Sequence, residues 1–212
     1  MDQYKQGAFF SYEFVGENSW NGYERKCLFA NVGGGQFVDV ARPTGSDSIK
    51  DGRGVAVADY NGDGKLDLII NNNNSAPTIY LNALKNVGRC IEMKLVGTSS
   101  NRDAVGARVR LGVAGKTLTR QVEAGSGYAS EAMLPVHFGL GDAARIESVE
   151  ITWPNGFVQR FTGGQFDPFI DRMVQIEEGN DHLAEFSAGH APPHEVASMS
   201  NAKRLQGRPS LQ

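Results

Sequence analysis

Hydrophobic and polar residues alternate along much of the chain between residues 89 and 177. In the first of these runs, Ile91, Met93 and Leu95 are separated by Glu92 and Lys94. Successive side chains of a strand point to opposite faces of a sheet, so this period of two predicts strands with one buried and one polar face. Repeated runs without helical spacing between them predict an antiparallel β-sandwich or barrel, and we expect no parallel sheet.

The same alternation selects the residues that we expect inside this domain. The predicted core consists of Ile91, Met93, Leu95, Val109, Leu111, Phe138, Val149, Ile151 and Trp153. The segment Trp-Pro-Asn-Gly at residues 153–156 predicts a tight turn, because proline fixes φ and glycine accepts a positive φ.

Residues 23–86 contain shorter apolar runs that are punctuated by glycine. Glycine contributes 26 of the 212 residues, well above the usual ~7%, and here it marks turns. Residues 28–40, with three consecutive glycines in the middle, predict a β-hairpin. Further strands are predicted at residues 55–58, 66–70 and 79–82. The asparagine run at residues 71–74 could supply ligands to a nearby loop or end a strand, and we favour the strand end. The predicted fold class is therefore all-β.

An aspartate-rich loop with the sequence Asp-Tyr-Asn-Gly-Asp-Gly-Lys-Leu-Asp joins two of these predicted strands. Its candidate metal ligands are the side chains of Asp59, Asn61, Asp63 and Asp67 and the backbone carbonyl of Lys65, whose ammonium we expect to point away. These are hard oxygen ligands of the kind that Ca²⁺ prefers, and the glycines permit a tight wrap. No helical pattern flanks the loop, so it predicts a strand-loop-strand calcium site, the alternative being a metal-free surface turn.

The segments that surround this loop resemble an FG-GAP/VCBS repeat. They are Asp-Gly-Arg-Gly-Val-Ala-Val-Ala at residues 51–58 and Asp-Leu-Ile-Ile at residues 67–70, together with the strand-and-turn pattern of residues 28–37. The resemblance implies a blade of a β-propeller whose aspartate loop binds calcium. Only one complete calcium repeat is present.

Four later segments, in order, resemble the signature of the ASPIC/UnbV domain. They lie at residues 100–109, 125–130, 137–141 and 149–156, and Cys90 departs from the pattern at a position where the family usually has an aromatic residue. The combination is similar to the cartilage acidic protein-like family. This resemblance implies a secreted or surface location, calcium binding, contact with proteins or glycans, and no established catalytic activity.

We therefore predict four segments along the chain. These are an N-terminal arm at residues 1–22, a propeller-type calcium-binding repeat at 23–86, an ASPIC/UnbV-like β domain at 87–177, and a polar, mostly irregular tail at 178–212. Residues 195–205 could form a short helix within the tail. One blade cannot close a propeller and leaves sheet edges open, so we expect a protein partner or self-association.

Charge and hydropathy exclude other classes of function. Lys and Arg number 21 against 24 Asp and Glu, and this slightly negative balance argues against a nucleic-acid partner. No apolar run is long enough to span a membrane. We expect an extracellular, cell-surface or periplasmic protein, although residues 1–20 lack the apolar core of a signal peptide. Whether Cys27 and Cys90 pair is left open.

The sequence contains no arrangement that defines a reaction class, so we predict no catalytic residue. Candidate acid, base or nucleophilic groups are Asp103, Glu123, Glu131, His137 and Ser126. Their spacing fits no known mechanism, and Ser126 lacks the strand-turn-helix context of a nucleophile. The two prolines between His190 and His194 oppose a helical metal site. The alternative function is an accessory enzyme domain of enediyne-like secondary-metabolite biosynthesis, where related domains occur.

Overall fold

The computed structural model describes residues 24–125, 127–128 and 130–186. The predicted arm at 1–22, Ser126, the paired histidines His190 and His194 and the helix predicted at 195–205 lie outside the described residues. Within the described residues the chain is almost entirely β-structure, which confirms the predicted fold class. No helix in this part of the chain is long and apolar enough to cross a membrane.

The first half of the described chain forms two small antiparallel sheets. Its elements are β1 (Phe29–Gly33), β2 (Gln36–Asp39), the one-turn helix α1 (Ala41–Thr44), β3 (Gly52–Ala58), β4 (Asp67–Asn72) and β5 (Thr78–Tyr80). Strands β1 and β2 pair as the predicted hairpin, whose turn needs Gly34 and Gly35 because their φ angles are 60° and 75°. Strands β3, β4 and β5 form a three-stranded sheet in that order.

The second half forms two four-stranded sheets. Its strands are β6 (Arg89–Val96), β7 (Arg108–Val113), β8 (Lys116–Gln121), β9 (Val136–Gly141), β10 (Ser148–Thr152), β11 (Val158–Thr162), β12 (Met173–Glu177) and β13 (Leu183–Glu185), with 3₁₀ turns at Gly163–Gln165 and Asp167–Phe169. One sheet has the order β13-β12-β6-β9 and the other β11-β10-β7-β8. Because these are two separate hydrogen-bonded ladders, the domain is a sandwich.

One strand pair departs from the antiparallel arrangement of the other described pairs, although neither sheet is a parallel sheet. Strand β12 runs parallel to β6, with Val174 opposite Met93 and Ile176 opposite Leu95. The chain leaves β6, builds β7 to β11 across both sheets, and returns to β6 in the same direction. Such a long crossover gives one parallel pair inside a sheet whose other pairs are antiparallel.

The core of the sandwich lies between the two four-stranded sheets. All nine residues of the predicted core are buried, and Trp153 and Phe138 are the largest among them. The predicted turn after β10 is also present, with Gly156 at a φ of 88°. In contrast, the two small sheets expose many of their large apolar side chains, among them Phe29, Val32, Phe37, Val38, Val55 and Ile79.

Candidate calcium loop and the cavity beside it

The aspartate-rich loop connects β3 to β4 and wraps around the carboxylate of Asp59. Oδ1 of Asp59 accepts hydrogen bonds from the backbone amides of Gly62 and Asp63 at 2.8 and 3.1 Å, and Oδ2 accepts one from Gly64 at 2.8 Å. The φ angles of Gly62 and Gly64 are 73° and 80°, a region that disfavours other residues. The two glycines therefore allow three consecutive amides to converge on one side chain.

The last aspartate of the motif fastens the loop at its base. Asp67 is 1% exposed, and its carboxylate accepts hydrogen bonds from the amide of Tyr60 at 3.0 Å and from the amide of Asn82 at 2.7 Å. These bonds join the start of the loop and the exit of β5 to the start of β4. A buried carboxylate with charge-assisted bonds of this kind fixes the conformation of the backbone around it.

The third aspartate is engaged by its neighbours in the loop. Asp63 accepts hydrogen bonds from the Lys65 amide at 3.0 Å and from the Asn61 side-chain amide at 3.1 Å. The Lys65 ammonium turns back and lies 2.9 Å from Asp63 Oδ2, so the expectation that it points away is wrong. The flexible lysine stem allows the ammonium to neutralise the nearest carboxylate. Burial acts to raise the pKa of Asp63, but the bonds from Lys65 and Asn61 outweigh it and lower that pKa.

The chemistry of the loop suits a hard cation, while its side-chain geometry is only partly arranged for one. Asp59, Asn61 and Asp63 lie on one turn, but Asp63 would have to release Lys65 to bind an ion. Among the described residues, no group of three or more carboxylate, imidazole or thiol side chains is arranged to hold a metal. The calcium ligands, including the Lys65 carbonyl and Asp67, therefore stay a prediction.

The loop packs on the outer face of the sandwich, on strands β6 and β9. Nε2 of His137 lies 2.8 Å from the carbonyl oxygen of Gly64. A Cβ atom added to Gly64 would lie 2.8 Å from Sγ of Cys90, so the backbone is seated directly on that thiol. The amide of Met133 also donates to the carbonyl of Val57 at 3.1 Å. Contacts from two strands and one connection thus hold the loop and β3 to the sandwich.

A cavity of about 210 Å³ lies where the loop meets β6. Its lining residues include Asp59, Gly62, Gly64, Cys90, Glu92 and Asp171. Burial, together with the charge of Asp59 and a hydrogen-bonding contact with it, raises the pKa of Glu92 to about 7. Burial and the charge of Asp171 raise the pKa of the Cys90 thiol to about 11. The cavity therefore places two carboxyl groups from different parts of the chain close together.

Glu92 is the residue at this site that the sequence pattern missed. It stands among the polar positions of β6, which predicts a solvent-facing side chain, yet it is 6% exposed. The sequence carried one weak signal of this burial, which is Cys90, a small apolar residue on the same face of β6 as Glu92. His137 lies in β9, as expected for a strand residue, but its contact with the loop had no signature in the sequence.

The other candidate groups do not gather into a site. Asp103, Glu123 and Glu131 are all exposed; Asp103 lies in the connection between β6 and β7, and the two glutamates lie eight residues apart in the connection between β8 and β9. Asn101 closes a turn through hydrogen bonds of 2.8 and 2.9 Å with the backbone of Val105. Cys27 is exposed, Cys90 is buried, and both are free thiols.

Two family models match separate parts of the chain. Residues 18–70 match the FG-GAP-like repeat, and residues 97–182 match the model described as ASPIC and UnbV. These two parts of the chain are therefore similar to an FG-GAP-like repeat and to an ASPIC and UnbV domain. This confirms the resemblance that was drawn from the motifs. The aspartate loop lies within the matched part of the FG-GAP-like repeat, and β7 to β12 lie within the ASPIC and UnbV match.

Curated relatives are similar to a short stretch of the chain. Cartilage acidic protein 1 from Xenopus tropicalis, from Mus musculus and from Homo sapiens is in each case 49% identical over 55 residues. The stretch covers 26% of this chain and 8% of each relative, so the chain spans only a small part of their length.

Proposed function

We propose that this chain is a calcium-binding interaction module that works as one member of a larger extracytoplasmic assembly. The observation that carries the proposal is the aspartate loop itself, which is wrapped around Asp59 by three amides and held to the sandwich at Gly64. The backbone of the loop is thus ordered by contacts with both halves of the chain. A cation that binds there would stabilise the junction between them.

The charge of the loop supports a divalent cation. Asp59, Asp63 and Asp67 bring three carboxylates into nine residues, and within that loop Lys65 pairs with Asp63. Carboxylates held a few ångströms apart repel one another when no cation lies between them. Calcium accepts the mixture of carboxylate, amide and backbone oxygens that this loop offers. The predicted ligands are therefore Asp59, Asn61, Asp63, Asp67 and the Lys65 carbonyl.

The face of the three-stranded sheet supports the assembly part of the proposal. Val55 and Val57 on β3 lie opposite Ile70 and Leu68 on β4, and the four side chains line an apolar groove of about 460 Å³. Val55 is 47% exposed. Apolar groups gathered on one sheet face are typical of a surface that packs against another protein. We propose that a protein surface, from another copy or from a different subunit, packs there.

The accessory-enzyme alternative receives less support from the same geometry. The cavity beside the loop is smaller than the ~300–1,000 Å³ of most small-molecule sites. Around it, Asp171 is paired with Arg89 at 2.8 Å and Glu185 with Arg172 at 3.0 Å. Carboxylates held in ion pairs are poorly placed to exchange protons with a substrate.

Calcium binding is tested by thermal unfolding of the full chain with calcium and with a chelator. Calcium should raise the Tm, because it binds the folded loop and not the unfolded chain. We expect a Kd near ~10⁻⁴ to 10⁻³ M, as for extracellular modules, or a lower value if the loop is rigid. Asp63→Ala should remove most of the gain in Tm, and the exposed Asp103→Ala should leave it intact. A Tm that is unchanged by calcium or chelator, together with no heat of binding, would refute the assignment.

The assembly claim is tested by light scattering at micromolar concentration with calcium. We expect a mass above that of one chain, or a complex with a co-purified subunit, and we expect Val55→Lys to abolish it. Phe157→Lys is the matched control, because Phe157 is equally exposed but lies at the turn before β11. If the chain stays a stable monomer and binds neither a second copy nor a protein or glycan, the assembly claim is refuted. The chain is then a free-standing domain.

A further inference from the structure

The sandwich has two outer faces, and the aspartate loop rests on only one of them. The loop contacts His137 and Cys90, which belong to the sheet with the order β13-β12-β6-β9. The opposite sheet, with the order β11-β10-β7-β8, turns every second side chain away from the core. On this second outer face Arg108, Arg110 and Arg160 are exposed. We call it the arginine face.

The strand register places charged side chains of the arginine face in one row. Glu150 on β10 lies opposite Arg160 on β11 and, on its other side, opposite Arg110 on β7. Its carboxylate accepts a hydrogen bond from Nε of Arg160 at 2.8 Å and one from Nη1 of Arg110 at 3.3 Å. Glu150 thus orients two guanidinium groups on the surface of the sheet, and most of their N–H donors remain available to a ligand.

The charge of the arginine face differs from that of the whole chain. Three arginines against one glutamate give the face a formal charge of +2, whereas the chain carries −3. No ion pair joins Arg108 to a carboxylate of the described residues. Apart from Gly112 and Val158, the other residues of the face carry hydroxyl or amide groups. They are Thr117, Thr119, Gln121, Ser148, Thr152 and Thr162.

We propose that the arginine face binds an acidic polysaccharide through the carboxylate groups of its sugars. The planar guanidinium group of arginine matches a carboxylate with two parallel hydrogen bonds. The hydroxyl and amide side chains around the arginines both donate and accept, as the hydroxyl groups of a sugar require. A flat sheet surface also leaves an extended chain room to lie across several strands. This inference is independent of calcium binding by the aspartate loop.

The same residues are less suited to other acidic partners. Protein interfaces are built around buried aromatic and apolar anchors, and single-stranded nucleic acids stack their bases on aromatic rings. The outward-facing positions of β7, β8, β10 and β11 include no aromatic residue, and Val158 is their one apolar side chain. Recognition of anionic lipid surfaces uses clusters of about 4–8 basic residues, more than this face offers. A carboxylated polysaccharide is therefore the partner that the arginine face fits best.

The test is isothermal titration of the full chain with oligogalacturonate in the presence of a chelator. The fully methyl-esterified oligosaccharide has the same sugar backbone without the charges and should not bind. Arg108→Gln and Arg160→Gln should each raise the Kd for oligogalacturonate about tenfold, because each removes charge-assisted hydrogen bonds. The matched control is Arg145→Gln, an exposed arginine in the connection between β9 and β10, which should change the Kd less than about twofold.

A position beside the arginines tests the sign of the electrostatic effect. Thr119 lies opposite Arg110 and is exposed. Thr119→Lys should lower the Kd, Thr119→Glu should abolish binding, and sodium chloride should weaken binding by the wild type through screening. Thermal melts establish that each variant is folded. Because Thr119→Lys is expected to gain affinity, a folding defect cannot imitate its result.

Three outcomes would overturn the proposal. The first is a wild-type chain that does not bind oligogalacturonate or binds the methyl ester equally well. The second is an equal effect of Arg108→Gln and Arg145→Gln. The third is tighter binding of a single-stranded oligonucleotide or an anionic lipid vesicle through the same arginines, which would assign the face to another class of partner. A chain that binds oligogalacturonate but no calcium would refute calcium binding by the loop and leave this inference standing.

Discussion

The backbone carbonyl oxygen of Gly64, in the aspartate loop, lies 2.8 Å from Nε2 of His137 on strand β9. A carbonyl can only accept, so Nε2 carries the proton and donates. The two residues are 73 positions apart in the chain, and they join the part that matches the FG-GAP-like repeat to the part that matches the ASPIC and UnbV model. We predict that His137→Ala lowers the free energy of unfolding by about 1 kcal/mol, the usual net value of one such bond. Urea denaturation measures this change, and the exposed His182→Ala should have no effect; equal losses in the two variants would argue against the role of the contact.

Gly64 itself is expected to tolerate no side chain. A Cβ atom at this position would lie 2.8 Å from Cys90 Sγ, and its φ of 80° is unfavourable for alanine. We predict that Gly64→Ala destabilises the fold by about 1–3 kcal/mol. The matched control is Gly139→Ala in β9, where an added Cβ has nothing within 4 Å and no positive φ to adopt.

The same position allows the clash to be separated from the backbone strain. In the double variant Gly64→Ala with Cys90→Ala, the thiol is absent and the steric part of the loss should be recovered. The part that comes from the positive φ should remain. A double-mutant cycle by chemical denaturation measures this coupling. Strict additivity of the two single changes would show that the loop does not rest on Cys90.

Trp153 combines the largest buried ring of the sandwich with one hydrogen bond. It is 1% exposed, and its Nε1 donates to Oε1 of Gln159 at 3.0 Å. Trp153→Ala should cost about 3–5 kcal/mol, because a cavity of that size cannot close fully. Trp153→Phe should cost less, because Gln159 Oε1 keeps a bond of 3.2 Å from the Gly179 amide. Phe157→Ala, at a half-exposed position, is the control and should cost less than about 0.5 kcal/mol.

The sequence predicted best what depends on neighbours along the chain. The period of two in β6, β7 and β10 identified buried positions correctly, because strand geometry alone decides which residues share a face. The glycine turn between β1 and β2 and the wrap of the loop around Asp59 also follow from local residue types. Their interactions span only a few residues, and those residues are visible in the motif.

What the sequence could not predict depends on contacts between distant segments. The outer face of β6 is polar in the sequence pattern, yet the aspartate loop covers Glu92 on that face. The alternation of polar and apolar residues identifies the two faces of a strand, but it does not indicate whether another part of the chain packs on the polar one. The parallel pairing of β6 with β12 depends on the path of the chain through both sheets. The orientation of the Lys65 ammonium was missed for a different reason, because a long flexible side chain moves to the nearest carboxylate.

The carboxylate of Glu178 accepts several hydrogen bonds within the sandwich. Its Oε2 accepts bonds from the amides of Thr98, Ser99 and Ser100 at 2.7–2.9 Å, and its Oε1 accepts one from the Asn155 side chain at 2.6 Å. Burial acts to raise the pKa of this group, but the amides of Ser100, Thr98 and Ser99 outweigh it and lower the pKa to about 2. The folded state thus favours the charged form more strongly than the unfolded chain does.

This difference predicts a pH dependence of stability with a definite sign. A carboxylate whose pKa is lower in the folded state contributes its full stabilisation above the ordinary value of 4.5 and loses it as the pH falls toward about 2. Glu178→Gln should therefore melt below wild type at pH 7, and the difference in Tm should shrink between pH 4.5 and 2. The adjacent Glu177→Gln is the control, because Glu177 is exposed and should melt as wild type does throughout. Thermal melts over this pH range decide the point. A gap that stays constant with pH would mean that the shape of Glu178, and not its charge, holds the loop at residues 98–100.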